Sequence, residues 1–225
     1  MRNLPREEHR EILEGGRFRG YEEDHKYGKY WRLRYNIFTK FDQIQFDNES
    51  LHSTKPERSC EEIARLFSAK IILDAFCGIG GVSIALARAG IRVIAGDIDA
   101  NKVRMAIHNS GIYGCRDRIC FHVSDAKDLI KSYVGEVDGL YIDPPWGGAD
   151  YLNLTQFTFA NFLFDGHEIK GQIKDKLDLE IALALPKNFR LQEIYELERS
   201  YSIHEHDSVG RNTFLTAFFP KCSPT

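Results

Sequence analysis

Four short apolar runs in the middle of the chain each close on acidic residues, and a segment of helical character separates each from the next. The runs are Lys70 to Asp74; Ile91 to Ala95, closed by Asp97-Ile98-Asp99; Arg118 to Val123, ending near Ser124-Asp125; and Val137 to Ile142, ahead of Asp143. Val82 to Ala89, Asn101 to Ser110 and Ala126 to Tyr133 carry the apolar spacing of helices between them. Strands joined through helices run parallel, with helices on both faces, and ligands of such sheets gather at the carboxyl ends of the strands. The acidic strand ends therefore belong to one edge and to one site.

The flanks extend this frame. Pro56 to Phe67 reads as a helix opened by proline, and Lys170 to Asp178 as a charged helix after the aromatic-rich stretch Tyr151 to Ile169. Asp178 to Leu185 is an apolar strand running into Pro186-Lys187-Asn188. Tyr201 to His206 and Thr213 to Phe219 flank a polar turn containing Gly210, the pattern of an antiparallel hairpin at a sheet edge. The expected fold is α/β: a doubly wound, seven-stranded, mostly parallel Rossmann-like sheet with a reversed last strand, over residues 56–225. Residues 1–55 read as a small N-terminal helical extension. Its first 25 residues suit a short solvated helix, and the next ten interleave Tyr27, Tyr30, Trp31 and Tyr35 with Lys29, Arg32 and Arg34. Such interleaving serves either base stacking with phosphate neutralisation or packing on the main domain.

Composition narrows the setting. A formal net charge of −3 over 225 residues argues against extensive wrapping of a nucleic-acid backbone and favours a short or terminal target. No apolar run approaches a membrane span, and the start of the chain lacks a secretion signal, so a soluble intracellular protein, nuclear or cytoplasmic, is expected. Five scattered cysteines read as buried thiols without metal-ligand pairs. The eight histidines form no metal pattern, and His204 and His206 are expected at the surface. No metal is expected. The sequence sets no oligomeric state; a monomer is the working expectation.

The stretch Gly139 to Gly148, Gly-Leu-Tyr-Ile-Asp-Pro-Pro-Trp-Gly-Gly, carries the chemistry. Two prolines force the chain out of the sheet at Asp143 in a stiff bend. Asp143 offers carboxylate acceptors, Pro144 a carbonyl and Trp146 a flat face, which suit a planar base with an exocyclic amine. Upstream, Asp74 closes a strand before Ala75-Phe76-Cys77-Gly78-Ile79-Gly80-Gly81. A carboxylate there would repel a pyrophosphate, which disfavours a dinucleotide, whereas the ammonium of S-adenosylmethionine would welcome it. Asp97 is then positioned for ribose hydroxyls and Asp125 for the adenine.

With these motifs the chain resembles class I S-adenosylmethionine-dependent methyltransferases acting on exocyclic amines, and more narrowly the trimethylguanosine synthase family. The likeness spans Lys29 to Lys221 and is carried most specifically by Asp74-Ala75-Phe76-Cys77-Gly78 and Pro144-Pro145-Trp146-Gly147-Gly148. It implies methyl transfer to the 2-amino group of a 7-methylguanosine RNA cap. Asp143, Pro144 and Trp146 would form the catalytic lip. Phe38, Asp74, Phe76, Gly78, Gly80, Asp97, Asn109 and Asp125 would surround the cofactor. Trp146, Tyr151, Lys29 and Lys187 would meet the capped substrate, with Lys55 or Arg32 as further phosphate contacts. The chain departs from the family pattern at Asp143, where serine is frequent, at Lys55, where threonine is, and near Lys187, where arginine is. An adenine N6-methyltransferase of DNA or RNA, and a non-catalytic cap-binding module, are the alternatives.

Overall fold

The structure, a computed structural model, describes residues 13–14, 32–47, 49–207 and 213–222. Among these residues seven strands form the main sheet: β1 (Ile71–Asp74), β2 (Arg92–Asp97), β3 (Ile119–Val123), β4 (Gly139–Ile142), β5 (Glu180–Pro186), β6 (Ser202–Asp207) and β7 (Thr213–Phe219). Their order across the sheet is β3-β2-β1-β4-β5-β7-β6. The first five are parallel, and β7 runs antiparallel to both β5 and β6. The helices are α1 (Glu57–Ala64), α2 (Gly81–Arg88), α3 (Ala100–Ile112), α4 (Ala126–Tyr133), α5 (Gly166–Asp175) and the single turn α6 (Gln192–Tyr195).

Side-chain alternation along the strands divides the core. In β5, Ile181, Leu183 and Leu185 join Leu129 and Ile130 of α4 and Ile169 and Ile173 of α5 on one face. Ala182 and Ala184 point the other way, with Ile63, Leu86 and Met105 from α1, α2 and α3. A period of two is what a strand buried on both faces must supply. Arg199 closes the far end of the sheet: buried, it donates to the carbonyls of Ile173, Lys176, Leu179 and Pro220.

Several elements differ from expectation for local reasons. β2 continues to Asp97 because its backbone pairs with Val123 of β3, so the strand itself delivers that carboxylate to the edge. α5 begins at Gly166, earlier than its charged residues suggest, because Asp165 accepts the His167 N–H at 2.9 Å and caps it. His206 is buried, with Nδ1 3.1 Å from Glu62 and its ring stacked on Phe214. Cys60, Cys77 and Cys115 are buried thiols as expected, whereas Cys120 and Cys222 are exposed.

The extension is less helical than its sequence suggests. Its described part holds single helical turns at Arg34–Ile37 and Ser50–Ser53, and a 3-10 turn at Phe41–Gln43. Leu13 and Glu14 are extended and pair antiparallel with Phe46 and Gln45 where a helix was expected. Segments this short hold no helix alone, and docking fixes them instead. Ile37, Phe38, Phe41, Ile44, Phe46 and Leu51 are all buried in the core beside α1, α2 and α3.

Glu57, first residue of α1, latches this segment. One carboxylate oxygen accepts from the Thr39 N–H (2.7 Å), the Thr39 hydroxyl (2.8 Å) and the Tyr113 hydroxyl (2.7 Å), and the other accepts from Arg88 at 2.7 Å. Burial opposes the charge, but these donors outweigh it and hold the carboxyl below its usual 4.5. The stabilisation is therefore complete above about pH 4.5 and is lost as pH falls through the lowered value. Glu57→Gln should cost about 1.5 to 3 kcal/mol of unfolding free energy at pH 7, the range for charge-assisted hydrogen bonds. Urea unfolding checks the cost, and the penalty should shrink below pH 4.

Candidate active site

The carboxyl ends of β1, β2 and β4 open into a cavity of about 390 Å³. Its floor is the turn from β1 into α2. Gly80, with φ +95°, starts α2 in a left-handed conformation, and a Cβ there would stand 3.2 Å from the Ala106 Cβ of α3. Glycine alone permits both the backbone and that close approach. Glu49, Ser53, Thr54 and Lys55, Phe76 and the Leu163-Phe164 pair form the walls, with Phe76 edge-on to Phe164 at 5.1 Å.

Of the carboxylates that face this space, Asp74, Asp97 and Asp125 are in different states. Asp74 is 1% exposed. It accepts the Ser83 hydroxyl at 2.6 Å and the Phe76 N–H at 3.4 Å, and among the described residues no cation lies within hydrogen-bonding distance. Burial pushes its carboxyl up to about 7, helped by the negative charge of Asp143 and eased by Ser83. A ligand bearing an ammonium group would supply the missing counter-charge. Asp97 receives Gly78 N–H on one oxygen and Asp99 N–H on the other, both at 3.0 Å, which leaves acceptor capacity on each. Asp125 is exposed at the rim and caps α4 through the Lys127 N–H at 2.8 Å. A buried carboxyl at one end, hydrogen-bond acceptors in the middle and an apolar-walled rim fit the amino-acid, ribose and adenine parts of S-adenosylmethionine.

The lip follows β4. Asp143 and Pro145 line the cavity, and Trp146 stands just beyond, packed between the two halves of the core. Gly147, with φ +92°, turns the chain back so that Tyr151 meets the Trp146 ring edge-on at 5.3 Å. The Pro145 carbonyl accepts the Leu163 N–H at 3.0 Å. Asn188 donates to the carbonyls of Tyr151 and Leu154, and Phe157 exchanges backbone hydrogen bonds with Asn188 and Arg190. The loops after β4 and β5 are thus sewn together under an aromatic cluster of Phe157, Phe159, Phe162 and Phe189.

Asp74, Phe76, Gly78, Asp97, Asp125 and Asp143 come together around the cavity, with Gly80 shaping its floor and Pro144, Trp146 and Tyr151 continuing the lip. Phe38 does not line the cavity; it is buried against Tyr113, ring centres 6.1 Å apart. Asn109 is also buried away from it, engaged by the Gln45 backbone and the Ile79 carbonyl. Lys187 is exposed, 3.1 Å from Glu205. Lys29 lies outside the described residues. Lys55, expected near phosphates, is 8% exposed and ion-paired with Asp143. Ser83, nine residues past Asp74, was not singled out in the sequence, although a serine in the first turn of the glycine-loop helix is its only signal.

A sheet of this order, with one reversed strand and this cavity at its carboxyl edge, defines a class I S-adenosylmethionine-dependent methyltransferase. The fold is similar to that of a structure described as a methyltransferase from Porphyromonas gingivalis W83, at a TM-score of 0.62 and 13% identity over 87% of this chain and 49% of that one. The sequence is 33% identical to the trimethylguanosine synthase of Schizosaccharomyces pombe over 83% of this chain and 80% of that protein. It is 30% identical to the trimethylguanosine synthase of Saccharomyces cerevisiae over 76% of this chain and 58% of that protein. The sequence model of the RNA cap guanine-N2 methyltransferases matches residues 69–221, and the chain belongs to that family. Among the described residues no helix is long and apolar enough to cross a membrane.

The raised Asp74 carboxyl makes a signed prediction. Because its folded value lies above its unfolded value of 3.8, its favourable contribution to the ligand-free protein is lost as pH rises through about 7. Asp74→Asn, which keeps an acceptor for Ser83, should therefore gain in melting temperature relative to the native protein between pH 5 and pH 8. A thermal series without cofactor measures the difference, and a gap that stays constant across that range would remove the buried charge from the account.

Proposed function

We propose that the protein transfers a methyl group to the exocyclic 2-amino nitrogen of a 7-methylguanosine RNA cap. The observation that carries this reading is the Asp143-Pro144-Pro145-Trp146 lip, which sets a carboxylate and an indole beside a cavity suited to S-adenosylmethionine. Membership of the cap guanine-N2 family and the two trimethylguanosine synthases support it. S-adenosylmethionine, when bound, supplies an electrophilic methyl group.

Asp74 would hold the ammonium end of the cofactor, Asp97 the ribose hydroxyls, and Asp125 and Phe76 the adenine region. Trp146 stacks on the base, and a cationic 7-methylguanine gains about 0.5 to 2 kcal/mol from the indole face. Asp143 accepts one amine hydrogen and the Pro144 carbonyl the other, which orients the nitrogen lone pair toward the cofactor. Catalysis is then mainly proximity and orientation. The 7-methyl group makes the amine more acidic, so no strong base is required. Lys187 is free to exchange its exposed partner Glu205 for a cap phosphate, because an exposed ion pair of this kind costs little to break.

The direct test compares methyl transfer to 7-methyl-GTP, GTP, ATP and a short DNA oligomer at saturating cofactor. The cap nucleotide should be preferred, and equal rates on the two guanines or transfer to adenine would reject the cap reading. Trp146→Phe should keep part of the activity that Trp146→Ala loses, read as kcat/KM on 7-methyl-GTP. Asp97→Ala should weaken cofactor binding by about 1.5 to 3 kcal/mol, since a charge-assisted acceptor is removed. Calorimetric titration reports it, and unchanged affinity takes Asp97 out of the cofactor site.

A further inference from the structure

Lys55 reaches the lip from the segment just ahead of α1. Its ammonium is ion-paired with Asp143 Oδ2, 88 residues later in the chain. It also stands 5.5 Å from the centre of the Trp146 ring and 5.0 Å from that of Phe214. Lys55 is 8% exposed, whereas Asp143 is 22% exposed and lines the cavity. The Tyr141 hydroxyl donates to the same Oδ2 at 3.5 Å, so Oδ2 is held from two sides. Among the described residues Oδ1 receives no hydrogen bond, which leaves it for an incoming amine.

A lysine at this place is a charge that methyl transfer by orientation does not require. Its effect is on the charge of the acceptor site. Asp143 alone would draw a cationic base to Trp146 in preference to a neutral one. Lys55 alone, against the same ring, would repel the cation. Together they cancel, and discrimination between a cationic and a neutral guanine falls back on the indole face.

We propose that Lys55 tunes the specificity of the acceptor site: as the counter-charge to Asp143 it tempers selection for the cationic 7-methylguanine, which the indole face alone then provides. The proposal deepens the guanine 2-amino reading and rests on it. It requires opposite effects from the two halves of the pair. Lys55→Met leaves a negative site and should raise the ratio of kcat/KM for 7-methyl-GTP over GTP by about tenfold, the size expected for one unit charge several ångströms away in a partly screened site. Asp143→Asn leaves a positive site and should lower the ratio by a similar factor. The double variant should return to within about threefold of the native ratio, because neither charge remains to bias the site.

The experiment measures both kcat/KM values for the native protein and the three variants, with cofactor affinity by calorimetry as a check on folding. A role confined to holding the lip in shape would slow both guanines alike. Ratios that stay fixed, or that move the same way in both single variants, overturn the proposal. If Lys55→Met does not fold, Lys55→Gln takes its place. Asp143→Asn, being nearly isosteric, tests the pair by itself, and a ratio that does not fall rejects it. Equal native rates on the two guanines, with the variants still moving apart, reject the cap reading and keep the role of the pair. A native protein that binds cofactor but methylates neither guanine overturns both.

Discussion

One buried amide joins three parts of this protein. Asn109, fully enclosed on α3, accepts the Gln45 N–H at 2.7 Å and donates to the Gln45 carbonyl at 2.9 Å and to the Ile79 carbonyl at 3.1 Å. Gln45 belongs to the extension and Ile79 to the glycine turn that floors the cavity. A buried amide with all these groups engaged is costly to disturb, since each partner would be left desolvated and unpaired. Gly80 brings α3 close enough for that amide to reach, and the Glu57 latch secures the other end of the segment. The cavity is therefore bounded on one side by Glu49, Ser53, Thr54 and Lys55, from a segment that precedes the sheet.

The electrostatic plan of the site is a gradient of compensation. Asp74 is deeply buried and, among the described residues, has no cation within hydrogen-bonding distance, so burial opposes its charge until a cationic ligand arrives. Asp97 spends part of its capacity on two backbone N–H groups and keeps the rest for hydroxyls. Asp143 is matched by Lys55. Each carboxylate ends a neighbouring strand, yet the three differ in what they can attract, because burial and partners set the difference and strand position does not.

The strand ends and the glycine turn were legible in the sequence because both follow from short-range rules: an apolar run, an acidic terminus and a helix with glycine before it. The Asp-Pro-Pro-Trp lip was legible for the same reason, since proline dictates the bend locally. Lys55 was not, because its partner lies 88 residues away and nothing in Ser53-Thr54-Lys55-Pro56 distinguishes a buried ammonium from a surface one. Asn109 and Phe38 belong near the site by resemblance, but the structure gives both to packing between the extension and α3. The extension itself defeated periodicity: its apolar side chains are placed by the surface they dock on, so no helical or strand repeat records them.

The wall that Glu49, Ser53, Thr54 and Lys55 give the cavity has a consequence for the order in which the protein is made. These residues leave the ribosome before any strand of the main sheet exists, and the amide that fixes their neighbour Gln45 is synthesised 64 residues later. Lys55 waits longer still, for Asp143. Until α3 and β4 have emerged, the bonds that Asn109 and Asp143 make to this segment cannot form, so the cavity is closed from behind by a piece of chain that precedes the sheet and is tied down by residues that follow it.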